Sequence, residues 1–115
     1  MKTKKSDDHI LIHLTAKDLS SPEATKEQLE DVLIHNRDKR QVISLKNISS
    51  IDSMGIGVLV SIHVLGMVEE CPVVFTETEE KIQKFFERTN MDTILNLTPT
   101  VEDALVYEFP VHPEE

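Results

Sequence analysis

Apolar positions along the chain keep two rhythms, a period of two and a period near 3.6, and these replace each other at short intervals. Ile10, Ile12 and Leu14 alternate with Leu11 and His13, which predicts a strand with one face on a core. Ser20-Ser21-Pro22-Glu23 then supplies cap residues and a proline for a first helical turn, and Leu29, Val32 and Leu33 recur at helical spacing up to about Asn36. Gln41 to Leu45 reads as a second strand, and Ile56 to Val68 is an uncharged run long enough for a helix. Val73-Val74-Phe75, set off by Cys71-Pro72, suits a central strand. Thr76 or Thr78 is placed to cap the next helix, in which Ile82, Phe85 and Phe86 form the apolar side, and Asn90 is placed to end it in a left-handed conformation. Ile94 to Leu97 reads as a last edge strand, and Thr98-Pro99 opens a final helix containing Val101, Ala104 and Leu105.

Strands and helices in alternation, joined by short connections, predict an α/β fold with a mixed, largely parallel sheet of about four to five strands and about four helices. Residues 9–107 form the expected single domain, between a flexible N-terminal arm at 1–8 and a loose tail at 108–115 with two prolines and two terminal glutamates. No internal repeat is present. With 115 residues and 39% hydrophobic content, one core is feasible without covalent staples. Aromatic residues make up only 4% and tryptophan is absent, so Ile, Leu, Val and Met must build that core, as in a buried parallel sheet.

The formal charge of −9 opposes binding to nucleic-acid backbones or anionic lipid. A single cysteine, Cys71, excludes an internal disulfide and a Cys-rich metal cage, and fits a reducing cytosol. No secretory signal is visible at the N-terminus, so a cytoplasmic location is expected. Ile56 to Val68 is too short to insert across a membrane, which takes roughly 20 apolar residues.

The chemistry concentrates in Ile48 to Val60, where Asp52-Ser53 and two close glycines, Gly55 and Gly57, interrupt apolar sequence between a strand and a helix. Asp52 and Ser53 fall at the helix N-terminus, where unpaired N–H groups and the helix dipole favour negative charge, including a phosphoryl group on Ser53. Either residue also caps a helix well, a role worth about 1 kcal/mol. Gly55 and Gly57 admit two readings, a thinned surface that lets another backbone approach or tight packing of helix on sheet. They are not a dinucleotide fingerprint, because the third glycine position is Val60.

The turn Asp52-Ser53-Met54-Gly55-Ile56-Gly57 resembles the Asp-Ser-x-Gly-[Leu/Ile]-Gly segment of STAS domains, especially the bacterial anti-sigma factor antagonists. The likeness extends to Phe85-Phe86-Glu87-Arg88-Thr89-Asn90-Met91 within the segment Ile82 to Leu97, and to the closing Thr98-Pro99-Thr100-Val101-Glu102-Asp103-Ala104-Leu105. Three positions depart from the family pattern. Ala16-Lys17-Asp18-Leu19 stands where relatives often have a glycine and a Leu-Asp pair, Met54 where many have a small residue, and Asn90-Met91 where Gly-Leu is usual.

The resemblance implies a STAS-like fold and a cytoplasmic regulatory binding protein, not an enzyme, that works without cofactor or metal as a monomer or weak homodimer. It implies reversible phosphorylation of Ser53 and a partner surface made from Asp52, Ser53, Met54, Gly55, Ile56 and Gly57, with Asp18 at the place of the family's partner-binding acid. The implied partners are an anti-sigma factor with serine-kinase activity, whose capture frees a sigma factor, and a phosphatase acting on phospho-Ser53. Other STAS roles stay open: a scaffold or partner subunit of a stressosome or lipid-transport complex, or a small-ligand or nucleotide sensor using the helix N-terminus.

Competing chemistry is thin. A triad of Asp52, Ser53 and His63 lacks the Gly-x-Ser-x-Gly elbow and places the histidine more than two turns along the same helix. His9, His13, His35 and His112 have no metal-ligand spacing. Val58, Ile62 and Leu65 are the positions from which an apolar outer face of the uncharged helix is expected, either covered by neighbouring helices or left for a partner.

Overall fold

Residues 1–110 are described in a computed structural model of the chain. Its elements run β1 (Lys2–Lys5), β2 (His9–Thr15), α1 (Ala16–Leu19), α2 (Pro22–His35), β3 (Arg40–Asn47), α3 (Ser53–Val68), β4 (Val73–Thr76), α4 (Glu80–Arg88), a 3-10 turn (Met91–Thr93), β5 (Leu97–Thr98) and α5 (Val101–Leu105). The five strands form one sheet in the order β1-β2-β3-β4-β5. β1 is antiparallel to β2, and every other pairing is parallel. The α/β architecture with a mixed, largely parallel sheet is therefore as the sequence predicts.

The first eight residues are not a free arm. Lys2 to Lys5 pair with Ile10 to His13, although all four of their side chains are exposed. An edge strand carrying lysines needs only backbone partners on one side, and the charges discourage further pairing on the other. Of the tail expected from Glu108 on, residues 108–110 have no helix or strand and Phe109 is half-buried, while 111–115 lie outside the described residues.

Alternation along the strands divides the core in two. Ile10, Ile12, Leu14, Ile43, Leu45, Val73 and Phe75 point to the face covered by the longer helices, where they meet Leu29, Leu33, Leu59, Ile62, Ile82 and Phe86. The opposite face holds Val42 and Val74 under Ala104 of α5, with Leu11, Leu105, Tyr107 and Phe109 around them. Arg40 fixes the segment after α5, since its guanidinium donates to the carbonyls of Ala104 (3.3 Å) and Tyr107 (2.9 Å) and lies 4.9 Å from the Phe109 ring centroid.

Several boundaries differ from the sequence expectation. α1 is an additional short helix, closed by a reciprocal cap between Thr15 and Asp18. Neither Thr76 nor Thr78 caps α4: its N-cap is Glu79, and the Thr78 hydroxyl donates to Oε1 of Gln83 at 3.0 Å. Asn90 is left-handed with φ 61°, as expected, but the chain then enters the 3-10 turn and Ile94 is exposed. β5 is consequently only Leu97–Thr98, and the last helix starts after Thr100, whose hydroxyl accepts from the Asp103 amide at 3.1 Å.

Candidate functional site

Ser53 sits where β3 ends and α3 begins, at the carboxyl edge of the parallel strands, the edge at which open α/β sheets present their sites. The approach to it is built from the core outward. Ile48 is fully buried, and its amide donates back to the Leu45 carbonyl at 3.0 Å, turning the chain at the end of the sheet. Ile51 is half-buried and packs on the main core, after which Asp52, Ser53 and Met54 emerge into solvent.

Asp52 is the N-cap of α3. Its Oδ1 accepts from the Gly55 amide at 2.9 Å, and its carbonyl accepts the first helical bond from Ile56 at 2.9 Å. The capping role thus falls to Asp52 and leaves the exposed Ser53 hydroxyl outside the cap. Ser53 and Met54 contribute amides of the first turn, which by helix geometry have no intrahelical acceptor and lie at the positive end of the dipole. A hydroxyl at the first helical position, beside those amides, stands where negative charge is favoured.

The two glycines do different jobs. A Cβ on Gly55 would stand 2.8 Å from Cγ1 of Ile51 and 3.5 Å from Cδ1 of Leu19, so the missing side chain lets the turn, α1 and α3 close on one another. A Cβ on Gly57 would meet nothing within 4 Å. Gly57 is exposed, and its lack of a side chain serves no internal packing. Ile56, between them, packs against the core. Of the residues expected at a partner surface, Asp52, Ser53, Met54 and Gly57 are presented outward, whereas Gly55 and Ile56 support them from beneath.

Asp18 is placed differently. Its Oδ2 accepts from the Thr15 amide (2.9 Å) and hydroxyl (3.0 Å), while Oδ1 accepts from the Met1 ammonium at 3.1 Å. Burial raises the cost of its charge, but the Thr15 amide, the ammonium and the Thr15 hydroxyl outweigh that cost and hold the carboxyl below its ordinary value. A cleft of about 250 Å³ beside the turn is lined by Ala16, Leu19, Ser20, Ser50, Ile51 and Asp52, so α1 borders the site through Ala16 and Leu19 and not through the Asp18 carboxylate.

The outer face of α3 is apolar, but not at the positions expected. Val58 and Ile62 are buried and Leu65 is half-buried. Met54, Gly57, Val64, Met67 and Val68 form the exposed stripe instead, with no acidic or basic residue in the first or last turn of the helix. Sequence periodicity could not find this stripe because both sides of the helix are apolar.

His63 is buried at 8% exposure, and burial pushes its imidazole below the ordinary value of 6.5. Ten residues of helix separate it from Ser53, about 15 Å along the axis, so the two cannot form a nucleophile and base pair. Among the described residues no group of three or more His, Cys, Asp or Glu is placed to hold a metal ion, and no helix is long and apolar enough to cross a membrane.

The sequence model of the STAS domain matches residues 1–104. Solved structures with the same fold include TM1081 of Thermotoga maritima, with a TM-score of 0.79 and 21% identity over 90% of this chain and 84% of that one. A crystal structure names that protein a candidate anti-sigma factor antagonist, with a TM-score of 0.73 and 22% identity over 91% of each chain. A variant of RsbS from Moorella thermoacetica matches with a TM-score of 0.77 and 18% identity, covering 92% of this chain and 94% of that one. A chain of the stressosome, described as a signal integration and transduction hub, matches with a TM-score of 0.76 and 20% identity over 91% and 93%.

Proposed function

Because the chain belongs to the STAS domain family, we propose that it is a regulatory binding protein of the anti-sigma factor antagonist type, switched by phosphorylation of Ser53. The observation that carries this reading is the division of labour in the turn: Asp52 caps the helix, which leaves Ser53 exposed and unused by the fold beside an uncharged apolar stripe. The unmodified surface of Ser53, Met54 and Gly57 receives an anti-sigma factor with serine-kinase activity, and that capture releases a sigma factor. Bringing the hydroxyl into the kinase's own interface makes the binding surface and the substrate the same residues.

Phosphorylation then adds about −1.5 to −2 charge and three acceptor oxygens to a surface whose neighbouring side chains are Asp52 and Met54. A partner face shaped for a neutral hydroxyl and apolar helix cannot desolvate that group, so the complex dissociates. A phosphatase restores the binding form. Nothing in this cycle asks the protein itself for catalysis, a cofactor or a metal, and it takes place in the cytoplasm.

The scaffold reading shares the fold, and the similar chain from the stressosome keeps it in view. The two diverge on Ser53. Phosphosite-resolved mass spectrometry on the protein captured from its native cells, with the associated proteins identified from the same capture, decides between them. Phosphate on Ser53, with a kinase-like partner enriched on the unmodified form, is the expected result. With purified partner, Ser53→Ala should bind and resist modification while Ser53→Asp binds weakly. Equal affinities for wild type, Ser53→Ala and Ser53→Asp would remove the switch from this proposal.

A further inference from the structure

Charge is spread unevenly over the sheet of this acidic chain. Leu11 and Val42 point to the face on which α5 lies, and strand pairing with alternation places Lys2, Lys4, His9, His13, Arg40 and Lys46 on that same face. β1, β2 and β3 contain no Asp or Glu at all, although the formal charge of the chain is −9. Two carboxylates bond to residues of this face, one toward each end: Asp8, 2.7 Å from Nδ1 of His9, and Glu77, which accepts from the Ser44 hydroxyl at 2.7 Å. Arg40 is engaged with the carbonyls of Ala104 and Tyr107. Lys2, Lys4 and Lys46 are exposed and form no ion pair with a described residue.

The position of β1 is a second, independent observation. It is the outermost strand of the sheet, so among the described residues its outer edge has no strand beside it, and the N–H and C=O groups on that edge are a template for pairing. A second copy of the same edge fits it poorly, because like charges would stand opposite each other. Nucleic acid and anionic lipid bring negative charge but no strand for the edge, and a chain of this net charge repels both. We propose that the free edge of β1 receives an extended acidic segment of a partner protein, added as a sixth strand with alternate carboxylates beside Lys2 and Lys4. Backbone pairing holds the segment and the lysines select the sign of its side chains. Arg40 and Lys46 stand two strand spacings behind the edge, about 10 Å away, and add to the potential that draws it in. All four side chains of β1 are exposed, so the added strand needs no rearrangement of the core. This edge shares no residue with the Ser53 turn and stands or falls independently of it.

The test is a titration of the full chain, isotope-labelled for NMR, with a short capped peptide alternating Glu and Thr. Three controls accompany it: the same peptide with Lys for Glu, one alternating Glu and Pro, which keeps the charge but halves the backbone donors, and an oligouridylate. Saturable shifts of the Lys2 to Lys5 amides with the Glu-Thr peptide, contacts between its backbone and that of β1, and slower amide exchange along β1 are the expected result, with much weaker responses to all three controls. Lys2→Glu combined with Lys4→Glu changes only exposed side chains, and should weaken the Glu-Thr peptide by about tenfold or more while creating affinity for the Lys-Thr peptide. Urea unfolding of that variant, matching wild type, shows that the fold is kept. Absence of saturation at millimolar Glu-Thr peptide, equal binding of the Glu-Pro peptide, tighter binding of the oligouridylate, or unchanged affinity in the double variant would each overturn the proposal.

Discussion

Gly57→Ala separates a surface kept bare for a partner from a glycine that the fold needs. In a helix interior alanine is favoured over glycine by about 1 kcal/mol. The gain should be realised in full here, because a Cβ at position 57 meets no atom within 4 Å and the residue's φ is not positive. For a domain of this size about 1 kcal/mol corresponds to a rise in Tm of roughly 3–6 °C. The added methyl projects from the exposed stripe close to Ser53 and Met54. If a partner packs its backbone there, inserting a methyl into a fitted interface costs about 1–3 kcal/mol, or about a 5- to 150-fold rise in Kd. Calorimetric or urea unfolding reads the first effect, and titration with the proposed kinase partner, or with whatever protein is captured on the unmodified form, reads the second. Opposite signs are the signature: more stable and worse at binding. A variant that is destabilised would show that Gly57 is structural, and one that is stabilised with unchanged Kd would show that the partner does not approach this face.

Other substitutions test neighbouring steps. Gly66→Ala should destabilise by about 1–2 kcal/mol in urea unfolding despite its helix propensity, since its Cβ would lie 2.8 Å from the backbone oxygen of Cys71 and 3.0 Å from Cγ2 of Val73. Asp52→Ala removes the cap from the Gly55 amide and should cost about 1 kcal/mol by the same assay, with Asp52→Asn recovering most of it. His63 has a lowered value in the folded state, so the unfolded chain takes up its proton first. Its contribution to stability is whole above about pH 6.5 and declines as pH falls below that, and His63→Phe should flatten the pH dependence of the urea midpoint in that window. Asp18 also has a lowered value, so its contribution is present above the ordinary carboxylate range and is lost as pH falls through the lower folded value. Asp18→Asn should shrink the acid-side loss of stability measured below about pH 4.

What the sequence made legible, and what it hid, follows from which interactions leave a local trace. Ser21-Pro22 marks the start of α2, and Leu29 and Leu33 mark its buried face, because a helix start and an amphipathic stripe are both written in neighbouring residues. β1 leaves no such trace. Its Lys-Thr-Lys-Lys side chains are all exposed, and only backbone pairing with β2 makes it a strand. The strand expected over Ile94 to Leu97 shortens to Leu97–Thr98 for a related reason: left-handed Asn90 leads into a 3-10 turn, a backbone change that an apolar pattern does not record.

α3 shows the same principle at the site itself. Its existence was legible from the uncharged run Ile56 to Val68, yet the same uniformity erased the signal that says which side faces water. Once Val58 and Ile62 are seen to be buried, the exposed side is fixed by geometry as the line through Met54, Gly57, Val64, Met67 and Val68. The turn before it carries equally divided information. Asp52, Ser53, Gly55 and Gly57 were all visible as unusual residues, but cap, free hydroxyl, packing gap and bare surface are distinguished only by what lies around each one. Two glycines two positions apart, one with Ile51 2.8 Å from its absent Cβ and one facing open space, are alike in sequence and opposite in consequence. That opposition gives the functional reading its force: the fold's own requirements at this turn are met by Asp52 and Gly55, and they leave Ser53 and Gly57 without a structural reason for their identities.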